Sequence, residues 1–145
     1  MDLNYQEIAD RAAAHALKSG IILDYSEKSI AEVESILGEY YNHLAEYDRE
    51  GADTLWNIAV HYGIYLGETM LRLQLGEKGF AWYMDNGMPV LKNRTSAQIS
   101  PITKAHKRML NGPEDNVKSF FDVALLFADG KFPTKHIVHR AINAQ

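Results

Sequence analysis

The chain has 145 residues, 46% of them hydrophobic and 23% charged, with a formal net charge of −4. That length suits one domain able to bury most of its own surface, and eight tyrosines, five phenylalanines and two tryptophans are more aromatic surface than a disordered chain carries. There is no cysteine, which excludes a disulfide scaffold, a thiol nucleophile, a Cys-ligated zinc and an iron–sulfur cluster.

Residues 4–19 read as a helix, with Asn4 as cap, Glu7 three residues on, and Tyr5, Ile8, Ala12 and Ala16 as its apolar stripe. Gly20 stops it, and Ile21–Leu23 forms a short connector. A second helix starts at Asp24 or Ser26, both of which have capping chemistry, and carries Ile30, Val33, Ile36, Leu37, Tyr40, Tyr41 and Leu44 at helical spacing. Residues 44–50 fray into a charged link. The third helix, about Asp53 to Leu75, repeats apolar residues on a face broad enough for a central helix. It also contains Gly63 and Gly67, each costing roughly 1 kcal/mol of helix propensity relative to alanine. Close packing against the bare backbone repays that cost, and alanine is expected to be worse tolerated at Gly67 than at Gly63.

The period then changes to two. Phe80, Trp82 and Met84 alternate with Ala81, Tyr83 and Asp85, Asn86-Gly87 makes a tight turn, and residues 89–92 return as a second strand with Pro89 suggesting an edge. Residues 95–99 can add a third strand. Ser100-Pro101 opens a helix closed by Gly112, with Ile102, Ala105, Met109 and Leu110 inward and Lys104, Lys107 and Arg108 outward. Pro113 starts the last strong helix, with Glu114 and Asp115 in its first turn. Residues 131–145 form a basic, peripheral tail holding a short helix over about 134–144. The whole reads as one α+β domain over residues 1–145, with helices at both ends around a small antiparallel meander of two or three strands.

Charge is unevenly distributed. Through Gly76 there are 13 acids against five bases, a balance of −8, and from Glu77 onward six acids against ten bases, a balance of +4. The first residues lack the basic start and apolar run of a signal peptide, and no apolar run reaches transmembrane length, so a cytoplasmic location with no membrane contact is expected.

No reaction signature appears. Gly-x-Ser-x-Gly, the phosphate loop and the dinucleotide fingerprint are all missing, and Gly63 and Gly67 lie inside helical periodicity rather than between a strand and a helix. The six histidines form no His-Glu-x-x-His. His136 and His139 share a helix face but would still need a third ligand, so neither metal nor cofactor is expected. Two constellations remain. His61, Glu68, Arg72 and Trp82 form a candidate pocket: the first three share one face of the third helix, where they could orient a substrate carboxylate or phosphate, or simply contact neighbouring elements. Lys104, Lys107, Arg108 and Lys118 form a candidate basic surface, weaker than nucleic-acid binding normally requires.

Leu23-Asp-Tyr-Ser26, Gly63-Ile-Tyr-Leu-Gly-Glu68, Trp82 after a glycine-rich turn, and Lys107-Arg108-Met-Leu-Asn-Gly-Pro-Glu-Asp115 together resemble a family of small uncharacterised bacterial proteins. The resemblance spans about residues 21–127. It implies a compact α+β domain of unknown function, in some cases a stand-alone cytoplasmic protein, and supplies no activity or catalytic residue. The leading expectation is a non-enzymatic domain acting through a protein partner, as an accessory or immunity-like protein, since tyrosine-rich surface suits interfaces. The alternatives are a small-molecule enzyme centred on Glu68, Arg72 and Trp82, and a weak nucleic-acid binder.

Overall fold

The computed structural model describes residues 3–47, 51–94 and 98–128. Asn4 begins the first helix, α1 (Tyr5–Leu17), by accepting the Glu7 amide at 2.9 Å, which satisfies one of the donors a helix start leaves open. Ala9, Ala12 and Ala16 are its buried residues, and such small side chains let α1 lie close against its neighbour. Ser26, not Asp24, caps α2 (Glu27–Asn42): its hydroxyl accepts the Ser29 amide at 3.2 Å, while Asp24 accepts from Ser26 itself. Of the expected charged link, Leu44–Tyr47 form a 3-10 turn, and residues 48–50 lie outside the described residues.

The third helix, α3 (Ala52–Leu73), is buried without interruption from Tyr62 to Gly67. A helix enclosed on every side is the centre of a fold, and α3 packs on both α1 and α2. A 3-10 turn, Leu75–Lys78, follows and ends at Gly79 with φ 84°. The chain then forms the hairpin β1 (Ala81–Asp85) and β2 (Met88–Lys92), paired from Ala81–Lys92 to Asp85–Met88. Asn86 and Gly87 turn it with φ of 54° and 81°, the two left-handed residues a tight hairpin turn requires.

The third strand reduces to a single bridge among the described residues. Ile99 exchanges two hydrogen bonds with Leu91, of 2.9 and 2.8 Å, while residues 95–97 lie outside the description. Pro101 then opens α4 (Pro101–Asn111), which crosses α3 and α2. The last helix does not start at Pro113. Residues Pro113–Asp115 make a 3-10 turn, Asn116 is extended, and α5 runs Val117–Ala128. The break has two causes: the Asp115 carboxylate is held by Lys104 and Asn111, and Asn116 serves as the new cap, accepting the Ser119 amide at 2.9 Å. The expected basic tail, its helix, and His136 and His139 lie outside the described residues.

Five helices around a two-stranded antiparallel hairpin thus make an α+β fold among the described residues. No helix of these residues is long and apolar enough to cross a membrane.

Candidate functional site

The glycine face of α3 positions everything around the hairpin. A Cβ on Gly63 would stand 2.5 Å from Ile102 Cα, so this glycine seats the start of α4. A Cβ on Gly67 would stand 2.3 Å from Trp82 Cη2, so the next turn seats an indole. Trp82 is fixed there from two further sides. Its Nε1 donates to Glu68 Oε2 at 2.9 Å, and its ring stacks on Tyr5 with centroids 4.8 Å apart and planes 13° from parallel.

One turn beyond Glu68, the Arg72 guanidinium lies 3.5 Å from the centroid of the Tyr25 ring and donates to Gln6 Oε1. Tyr25 has a left-handed backbone, φ 63°. Three contacts compensate for that strain: its amide donates to Tyr65 Oη at 2.8 Å, its hydroxyl donates to Asp10 at 2.6 Å, and its ring tilts against Tyr65. Burial, and then the Asp10 carboxylate, push the Tyr25 phenol well above its usual range.

Glu68, Arg72 and Trp82 therefore do come together on one polar and aromatic strip. It includes Tyr5, Gln6, Asp10 and Tyr25, none of which the sequence singled out as site residues. Glu68 and Arg72 direct their charged ends at protein groups. His61 does not join them. Its Nδ1 donates to Asn57 O at 2.8 Å, and it lines a separate 150 Å³ depression with Arg11, His15 and Tyr62.

The expected basic surface is rearranged. Lys104 and Arg108, placed outward by the sequence reading, are buried, each only 6% exposed. Lys104 Nζ donates to Asp115 at 2.9 Å and Arg108 Nε to Glu34 Oε2 at 2.7 Å. The other Glu34 oxygen accepts the Val117 amide at 2.9 Å, so one carboxylate ties α4 and the start of α5 to α2. Buried charges persist when paired and hydrogen-bonded; here Glu34 stands 74 positions from Arg108 and Asp115 11 positions from Lys104. Burial raises the Asp115 pKa, but the hydrogen bonds from Lys104 and Asn111 outweigh it and hold the carboxyl below its ordinary value. Lys118 reaches Asp122 at 2.7 Å and Glu27 at 3.7 Å, and Lys107 is half-buried.

The hairpin leaves one edge open. The two-residue turn makes Asp85–Met88 a hydrogen-bonded pair, so Tyr83–Val90 and Ala81–Lys92 are the next such pairs. Trp82 and Met84 then direct their backbone N–H and C=O groups away from β2. Leu91, opposite Trp82, obeys the same alternation, turning its own groups outward to Ile99. Among the described residues β1 has no strand on its outer side, and Tyr83 and Met84 stand 47% and 54% exposed along it.

Two clefts lie elsewhere. One of 390 Å³ opens between α1, α2 and the Leu44–Tyr47 turn, lined by His15, Tyr40, Glu39, His43, Glu46 and Tyr47 among others. A more apolar one of 560 Å³ lies between that turn, α3 and α4, where His106 meets Trp56 edge-on. No group of three metal-ligating side chains that could hold an ion occurs among the described residues. Comparison of the chain with protein-family models, curated proteins and solved structures gave no match.

Proposed function

We propose that this chain is a non-enzymatic interaction domain that pairs with an extended segment of a protein partner along the outer edge of β1. The observation that carries the reading is the open edge itself: outward amide and carbonyl groups at Trp82 and Met84, flanked by exposed Tyr83 and Met84. An added strand draws affinity from main-chain hydrogen bonds and specificity from alternate side chains. Among the described residues no strand covers this edge, and its one charged side chain, Asp85, stands at the end of β1; folded proteins otherwise protect such edges. The anchoring of β1 supports the same reading, because Trp82 is held by Gly67, Glu68 and Tyr5 before any partner arrives, and a preformed edge lowers the cost of binding.

The competing readings draw less support. An enzyme at His61, Glu68, Arg72 and Trp82 would need polar groups free to meet a substrate, whereas Glu68 and Arg72 already engage Trp82, Gln6 and Tyr25. A nucleic-acid surface would need accessible cations, whereas Lys104 and Arg108 are buried in ion pairs. A reducing compartment such as the cytoplasm suits a partner-binding chain without cysteine.

The test is Met84→Pro, which removes an outward N–H without touching the β1–β2 ladder. The variant should melt like the parent and lose a partner that the parent and Met84→Ala both retain in reciprocal pull-downs. Equal recovery of that partner by Met84→Pro would defeat the proposal.

A further inference from the structure

We infer that the cleft between α1, α2 and the Leu44–Tyr47 turn is a binding site for a small organic cation carrying an alkylammonium group. Tyr40 and Tyr47 meet there with centroids 5.6 Å apart and planes at 55°, presenting two π faces at an angle instead of closing on each other in a stack. Two such faces attract an ammonium group through the ring quadrupoles. Glu39 and Glu46 line the same cleft, and among the described residues no lysine or arginine does. The Glu39 carboxylate lies 3.8 Å from His43 Nδ1, which donates to the Glu39 backbone carbonyl at 2.9 Å, so an incoming ammonium would compete there with the imidazole. Ile21 and Ile36 supply apolar wall for the alkyl portion, and the 390 Å³ volume admits a quaternary ammonium with a short chain. An anion would meet two carboxylates, with only imidazoles to set against them among the described residues. The net −8 of residues 1–76 adds long-range attraction for a cation.

This site shares no residue with the β1 edge, so the two proposals stand or fall separately. The test is a nuclear magnetic resonance titration of the full chain with choline, set against its uncharged isostere 3,3-dimethyl-1-butanol. Choline should give saturable shifts of the Tyr40 and Tyr47 ring signals, and the isostere should give none. Tyr47→Leu should weaken choline binding about fivefold or more. Glu39→Gln combined with Glu46→Gln, at exposed positions that leave packing unchanged, should weaken it at least about threefold. Absence of saturable shifts with choline, equal shifts with the isostere, or undiminished binding by both the tyrosine and the double glutamine variant would each overturn the inference.

Discussion

Alanine at Gly63 is the sharpest probe of how this fold is assembled. The added methyl would lie 2.5 Å from Ile102 Cα and 2.9 Å from Ile102 N, against an ordinary carbon–carbon separation of about 3.5–4.0 Å. Relief requires the start of α4 to retreat by about 1 Å. That helix is pinned further along by the Lys104–Asp115 and Arg108–Glu34 pairs, and a backbone obstacle cannot rotate aside as a side chain can. Overpacking of this kind costs about 1–3 kcal/mol, while alanine returns roughly 1 kcal/mol of helix propensity. With the cost at the upper end, the net loss is about 2 kcal/mol, visible as a lower midpoint in a urea melt. At Gly67 the obstacle is the rim of Trp82, which can swing at the expense of its bond to Glu68 and its stack on Tyr5, so about 1 kcal/mol is expected. This reverses the order expected from sequence. Trp82→Leu should abolish the cost of Gly67→Ala in a double-mutant cycle. An unchanged or raised midpoint for Gly63→Ala, or a Gly67→Ala penalty that persists without the indole, would refute the packing account.

Four further outcomes follow from the same contacts. Glu34→Ala strands the Arg108 guanidinium and uncaps Val117, so it should cost about 3–5 kcal/mol in a urea melt, with Glu34→Gln less severe because it keeps an acceptor. Because Asp115 is held below its ordinary carboxylate value, its contribution is complete above pH ~4 and is lost as pH falls through the lower folded value; Asp115→Asn should flatten that part of the acid limb. Burial holds His106 below its ordinary value, so stability is retained above pH ~6.5 and declines as pH falls through the folded value; urea midpoints at pH 7 and 5.5 should differ more for the parent than for His106→Gln. Trp82→Phe should lose about 1 kcal/mol with the Glu68 hydrogen bond while keeping most of the ring packing, which thermal melts of parent and variant would measure.

What the sequence revealed was chiefly what depends on near neighbours. The Asn4 cap, the Asn86-Gly87 turn and the switch from period 3.6 to period 2 involve residues within a few positions of one another, and all are present. The close approach at Gly63 and Gly67 was also legible, because two glycines in one helix demand a reason. The facing of α4 was not. Lys104 and Arg108 are in phase with Ala105 and Met109, but only Glu34, 74 positions from Arg108, makes an inward arginine tolerable. His61 shares a helix face with Glu68 by spacing, yet lies about 10 Å along the axis, where α1 residues surround it instead of the hairpin. The Tyr5–Trp82 stack and the Tyr25–Arg72 contact join segments far apart in the chain, and aromatic residues on amphipathic helices read first as core.

The open edge of β1 is tested most directly by photo-crosslinking in the cells that make the protein, with a benzophenone amino acid replacing Tyr83. Strand pairing along β1 predicts one discrete adduct from position 83, lost when Met84→Pro is added and not formed from a probe at Glu32 on α2. No adduct at position 83, or an adduct that survives Met84→Pro, would contradict it.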